Sequence, residues 1–230
     1  MVLLESFWSA VGLVLSGDTE LYGVIARSLC VSLTAVCLAG LVGIPAGIML
    51  GLGDFKGRNT VLKLVYVCMG LPPVLVGLLV FLLLSRSGPV APVIYILFTP
   101  QAMILAQFIL AVPIATGLTV HAVEERAALI LLTARGLGAS MRQALFTLVR
   151  ELKIPLITAV ATAFGRVIAE VGAVMLVGGD IEGYTRVLTT AIVLETRKGN
   201  FSLALALGIV LLALSFLINS LLYAWQYRRS

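Results

Sequence analysis

Apolar residues run along this chain in blocks, each closed by a polar, glycine-rich or proline-rich stretch, at roughly residues 24–51, 61–84, 103–120, 157–177 and 201–223. About 20 residues of helix cross the hydrocarbon of a bilayer. Lipid offers no partner to a backbone N–H or C=O, so a spanning segment must be a helix or part of a closed barrel. These runs are too long and too continuously apolar for barrel strands. The pattern predicts an all-α membrane protein of about five transmembrane helices.

Interruptions refine the picture. In the second block Gly70-Leu71-Pro72-Pro73 should kink the helix, because two prolines remove donors and clash with the preceding turn. Pro113 predicts a kink in the third. Residues 89–99 are apolar but short and proline-broken, which suits a re-entrant or surface piece. In the first block Ala35, Ala39, Gly40, Gly43, Ala46 and Gly47 recur three or four apart, which either permits close helix contact or reflects ordinary membrane composition. The first fifteen residues carry Glu5 and no basic start, so they predict a short amphipathic helix in the interface and not a cleaved signal. The domain reading is one transmembrane unit over 1–230, with an interfacial segment at 1–20 and a polar segment at 122–153.

Composition agrees: 60% of residues are hydrophobic, 12% are charged, and mean hydropathy is +1.12, whereas a soluble domain carries about a quarter charged residues. A net charge of +5 would suggest nucleic acid in a soluble protein, but here the basic residues lie between apolar blocks and report topology. Lys56, Arg58 and Lys63 lie in one loop, Arg126, Arg135, Arg142, Arg150 and Lys153 in another, and Arg228 and Arg229 in the tail. Since Lys and Arg favour the cytoplasmic side, the N-terminus is expected outside and the C-terminus in the cytoplasm of a multi-pass membrane protein. Arg186, Arg197 and Lys198 vote weakly against this.

Little in the chain suggests catalysis. It has no G-x-x-x-x-G-K-[ST] phosphate loop, so ATP-driven work would fall to a partner. His121 stands alone at a block boundary. Cys30, Cys37 and Cys68 lie inside apolar blocks and are expected to be small core residues. Ser140 lacks a plausible base for an intramembrane hydrolase. Arg166 and Glu170 are the costly residues, charged within the fourth block. Four apart on a helix, they either form an ion pair that locks helices or line and gate an anion path, as Pro72 and Pro73 also could.

The clearest clue is Thr133-Ala134-Arg135-Gly136-Leu137-Gly138-Ala139-Ser140, a glycine-punctuated turn between two stretches of helical apolar spacing, predicted as a helix-turn-helix at the membrane surface. These residues resemble the E-A-A…G coupling loop of membrane subunits of ATP-binding cassette importers. Ala134 matches the second alanine and Gly138 the glycine, while Leu132 stands where the acidic residue would be and Thr133 replaces the first alanine. Gly70 to Gly77 and Arg166 to Val174 are similar to oxyanion importers for molybdate, tungstate and sulfate. The stretch 178–196, including Gly178-Gly179-Asp180-Ile181-Glu182-Gly183-Tyr184-Thr185-Arg186, looks most like tungstate-type permeases. The resemblance implies a homodimer with a path on its two-fold axis and two cytoplasmic ATP-binding subunits that hold ATP and Mg. It also implies an extracytoplasmic substrate-binding protein, with no cofactor in this chain. A stand-alone secondary transporter or channel for a small anion is the alternative.

Overall fold

The computed structural model describes residues 19–89 and 95–227, together with Trp8 and Gly12. The proposed interfacial segment at 1–20 therefore lies outside the described residues, save those two and Thr19 and Glu20. Among the described residues are nine helices and no strand: α1 Thr19–Leu52, α2 Arg58–Met69, α3 Pro73–Leu84, α4 Pro100–Gly136, α5 Met141–Glu151, α6 Lys153–Ile168, α7 Gly172–Gly178, α8 Leu188–Arg197 and α9 Phe201–Tyr227. Three of them, α1, α4 and α9, are long and apolar enough to cross a membrane, and the number is five if the bent pairs α2/α3 and α6/α7 each count as one span.

Both bent pairs depart from the expected continuous spans. The turn between α2 and α3 is 100°, a break and not a kink. Leu71 precedes a proline and is pushed out of the helical region. The Gly70 and Leu71 N–H groups close α2 on the Val67 and Cys68 carbonyls, and α3 restarts with the Leu75 and Val76 N–H groups on the Pro72 carbonyl. Pro73 takes the first helical position, where its missing donor costs nothing. The fourth block breaks by 63° between α6 and α7.

The third span and the first half of the polar segment form one helix, where a span and a separate surface helix were expected. α4 covers 37 residues, about 55 Å at 1.5 Å per residue, and runs through Pro113 without a break. No glycine or proline interrupts 118–135, and the buried face continues through Ala122, Val123, Ala127 and Ala134. Ala122, Val123 and Ala127 pack there with Leu148, Leu152 and Leu156, so tertiary burial holds the extension straight.

Gly43, Gly47 and Gly51 of α1 face α4. A Cβ on Gly43 would lie 2.9 Å from the Ala115 Cβ, on Gly47 2.5 Å from the Thr119 Cβ, and on Gly51 2.7 Å from the Val123 Cβ. The small-residue stripe therefore serves a close contact within the chain. Cys30 and Cys37, expected in the core, are exposed, and Cys68 is half-buried. α1 buries the face of Val24, Ser28, Val31, Ala35 and Ala39, and the two cysteines lie on another face. The mixed-charge loop after the fourth block holds a further helix, α8, whose Leu188 and Ala191 pack with α1 and α9.

Candidate functional site

Thr133 to Ser140 form one compact turn between α4 and α5. The Leu137 N–H donates to the Thr133 carbonyl at 3.1 Å, Gly138 N–H to Arg135 at 3.0 Å and Ala139 N–H to Ala134 at 3.0 Å. The last two are the paired bonds of a Schellman helix stop, and they require a left-handed residue at Gly138, whose φ is +86°. Ser140 starts the next helix: its Oγ accepts the Gln143 N–H at 3.4 Å, and Gln143 Oε1 accepts the Ser140 N–H at 2.8 Å, a capping box. The four residues 137–140 thus join the end of one helix to the start of the next.

α5 buries Ala144 and Leu148 and presents the opposite side to the surroundings. Leu137 is 85% exposed, Phe146 71% and Met141 56%, beside Leu129 and Leu132 on the end of α4. Arg135 and Arg142 are exposed at its edge. These side chains form an apolar patch presented by a turn that its own backbone bonds fix.

The intramembrane candidates divide. Pro72, Pro73 and Glu170 are brought close, because the two helix breaks lie side by side. A Cβ on Gly77 would lie 2.5 Å from the Ala173 Cα, and one on Gly172 2.5 Å from Val74 Cγ2. Glu170 is buried; its Oε1 accepts the Ala173 N–H at 3.1 Å, and its backbone carbonyl accepts the Thr189 hydroxyl at 3.0 Å. Arg166 does not join it: among the described residues no ion pair links Arg166 to Glu170. α6 ends at Ile168, so four-residue spacing no longer sets the two on one helix face, and the carboxylate caps α7 instead.

Arg166 is exposed, in line with Thr158 and Thr162, both also exposed and four residues apart. The Thr158 and Thr162 hydroxyls donate to the Ile154 and Thr158 carbonyls at 3.0 and 2.9 Å, the back-bonding by which such residues sit within a helix. A polar stripe ending in a guanidinium thus faces away from this chain along an otherwise apolar helix. The threonines were missed in the sequence, although polar residues at 158, 162 and 166 carry the signal. Gln107 was missed too; buried on α4, its Nε2 donates to the Val167 carbonyl at 3.0 Å, beside the break.

At the other end of α1 the segment after α7 is built as a strap. Gly179, Asp180 and Gly183 are left-handed, with φ of 72°, 50° and 70°. The Thr185 hydroxyl donates to the Gly178 carbonyl at 2.6 Å and accepts the Ile181 N–H at 2.8 Å. Arg186 sits among Glu182 at 3.2 Å, Asp180 at 3.5 Å and Glu20 of α1 at 3.7 Å. Farther on, Lys198 and Asn200 both bond the Glu195 carboxylate, and these bonds hold its pKa below the ordinary value.

Residues 43–229 match the family described as binding-protein-dependent transport system inner membrane component. The tungstate uptake system permease protein of Peptoclostridium acidaminophilum is 42% identical over 97% of this chain and 98% of its own length. That of Campylobacter jejuni is 37% identical over 94% and 90%. A bacterial alginate ABC transporter, solved in complex with an alginate pentasaccharide-bound periplasmic protein, shares the fold with a TM-score of 0.74 at 19% identity, covering 94% of this chain and 81% of that one.

Proposed function

The chain belongs to the binding-protein-dependent transport system inner membrane component family, and on that premise we propose that it is the membrane-spanning permease subunit of an ATP-driven importer of tungstate or a related oxyanion. The observation that carries this reading is the Schellman-stopped, serine-capped turn from Thr133 to Ser140 with its exposed Leu137, Met141 and Phe146. A rigid apolar knob with a cationic edge has no use in lipid and suits a groove on a cytoplasmic ATPase. That ATPase binds ATP and Mg; this chain supplies the docking turn. The near-full-length likeness to two tungstate uptake permeases supports the substrate class.

Two copies of the chain work together, each docked on one ATP-binding subunit, with a substrate-binding protein delivering the anion on the far side. The N-terminus faces outward and the C-terminus the cytoplasm of a prokaryotic cell, in keeping with the basic loops on the coupling side. The α6 stripe of Thr158, Thr162 and Arg166 supports a path between the copies. A guanidinium about 20 Å along α6 from Lys153, at 1.5 Å per residue, is costly against hydrocarbon and favourable beside water and an oxyanion. Pro72, Pro73 and Glu170, at the paired breaks, form the gate. ATP-driven closure of the ATPases moves α5, and α6, which follows at Leu152, carries that movement to the gate.

Capture of an ATPase subunit from detergent-solubilised membranes, with this chain and its Gly138→Asp variant as baits, tests the reading. Co-purification with the parent chain and its loss in the variant is the expected result. The paired interrupted helices favour one other reading, a stand-alone secondary transporter or channel, since such carriers build their sites from broken helices. A folded parent chain that captures no ATPase would establish that alternative.

A further inference from the structure

We infer that the strap between α7 and α8 is a latch to α1, and that Arg27, Arg186 and Glu20 are positioning residues that convert movement of the coupling turn into movement at the opposite face. The inference rests on the importer reading and concerns the N-terminal end of α1, the end opposite to Gly51, which packs against Val123 of α4.

Covalent order supplies the first half of the case. α5 passes directly into α6 at Leu152, which ends one helix and begins the other. α6 leads through the break at 169–171 to α7, and α7 runs into the strap. A push on α5 therefore travels along α6 and α7, and what it achieves depends on where the far end is held.

Side chains of α1 hold it. Arg27 Nε donates to the Arg186 carbonyl at 3.1 Å and Arg27 Nη1 to the Gly183 carbonyl at 3.2 Å. Its fork thus grips the strap backbone at two points. Glu20, seven residues earlier and so near the same face of α1, pairs with the Arg186 side chain at 3.7 Å. The buried Ser28 hydroxyl accepts the Leu188 N–H at 2.8 Å, just beyond the strap. Three left-handed residues and the Thr185 bridge make the strap stiff, so it moves as a unit.

The chemistry suits a releasable hold. Glu20 and Glu182 are both more than half exposed, and each shares Arg186 with the other and with Asp180. Ion pairs whose carboxylates lie this open to water are individually weak, so one arrangement around the Arg186 guanidinium is readily exchanged for another. α1 is itself fastened along α4 by the Gly43, Gly47 and Gly51 contacts. The latch therefore ties the moving α6–α7 arm to the immobile part of the chain. With the latch intact, the arm pivots; with it cut, the arm slides at its far end and the stroke is lost.

The test uses the complete transporter, purified with its ATPase, reconstituted in proteoliposomes and supplied with its binding protein and tungstate. Arg27→Ala, Arg186→Ala and Arg186→Lys are compared with Glu195→Gln, whose carboxylate bonds Lys198 and Asn200 and feels Arg186 only electrostatically. Anion imported per ATP hydrolysed is expected to fall about tenfold in Arg27→Ala and Arg186→Ala, within the usual range of coupling between distant sites, and less in Arg186→Lys. ATPase co-purification should be unaltered, and Glu195→Gln should keep the parent ratio. A parent-like ratio in both alanine variants, or import and hydrolysis falling together in proportion to folded complex, would overturn the latch. Failure of the parent chain to bring down any ATPase would instead overturn the importer reading on which the latch rests.

Discussion

Gly77 of α3 lies directly against Ala173 of α7, so that a Cβ on Gly77 would stand 2.5 Å from the Ala173 Cα and 3.2 Å from its carbonyl oxygen. This contact joins the two broken helices just past their breaks. The obstacle is backbone, which cannot rotate aside. Gly77→Ala should therefore force α3 and α7 apart and cost about 1–3 kcal/mol, as overpacking does. Gly208 has open space where its Cβ would go, and Gly208→Ala should gain about 0.5–1 kcal/mol from helix propensity. Thermal unfolding in detergent checks the opposite signs.

The apolar blocks and the turn at 133–140 are legible because their causes are local. Hydrophobic length dictates a helix in lipid, and Gly138-Ala139-Ser140 spells a helix stop followed by a cap. What escaped reading depends on neighbours distant in sequence. The straight run of α4 past Val120 follows from burial against Leu148 and Leu152, which no local signal announces. The failed pairing of Arg166 with Glu170 follows from a break at 169–171 with no proline to mark it. Cys30 and Cys37 look like core residues until the glycines of α1 fix which face meets α4. α8 was readable in principle, since Leu188, Ala191, Ile192 and Glu195 follow helical spacing, but the surrounding charges and glycines obscured it.

Ser140 and Gly138 make separable contributions to the turn at 133–140. Ser140→Ala deletes the acceptor for the Gln143 N–H and should cost about 1 kcal/mol of local helix stability. Hydrogen exchange at the first amides of α5 should quicken, while the spans keep their protection. Gly138→Ala strains a left-handed residue by a similar amount, about 1 kcal/mol. In ATPase capture both should weaken retention, and Ser140→Thr, which restores a capping hydroxyl, should recover it.

Glu195 lies in α8, outside the candidate spans, and its pKa is lowered chiefly by the Lys198 hydrogen bond and then by that of Asn200. The native carboxyl thus binds its proton less tightly than the unfolded one. Its contribution to stability is therefore present above the ordinary carboxyl pKa and is lost as pH falls through the lowered native value. Glu195→Gln should lower the unfolding midpoint near neutrality and converge with the parent in acid. A difference between the two proteins that does not change with pH would show that the carboxylate charge plays no part.

Arg166 gives the sharpest test of the proposed path, because its cost and its use are opposed. If α6 turned the stripe of Thr158, Thr162 and Arg166 toward lipid, replacing the guanidinium by a methyl group would relieve an expense of about 2.5–3.5 kcal/mol, and insertion and assembly would improve with uptake unchanged. If the stripe lines a wet anion path, Arg166→Ala should assemble normally and lose most uptake, since nothing else on that exposed line carries positive charge. Arg166→Lys should retain part of it, because a point charge still attracts an oxyanion but lacks the planar fork that binds two of its oxygens. We expect that order, parent above lysine above alanine, in tungstate uptake normalised to assembled complex. Equal uptake by all three would remove Arg166 from the path.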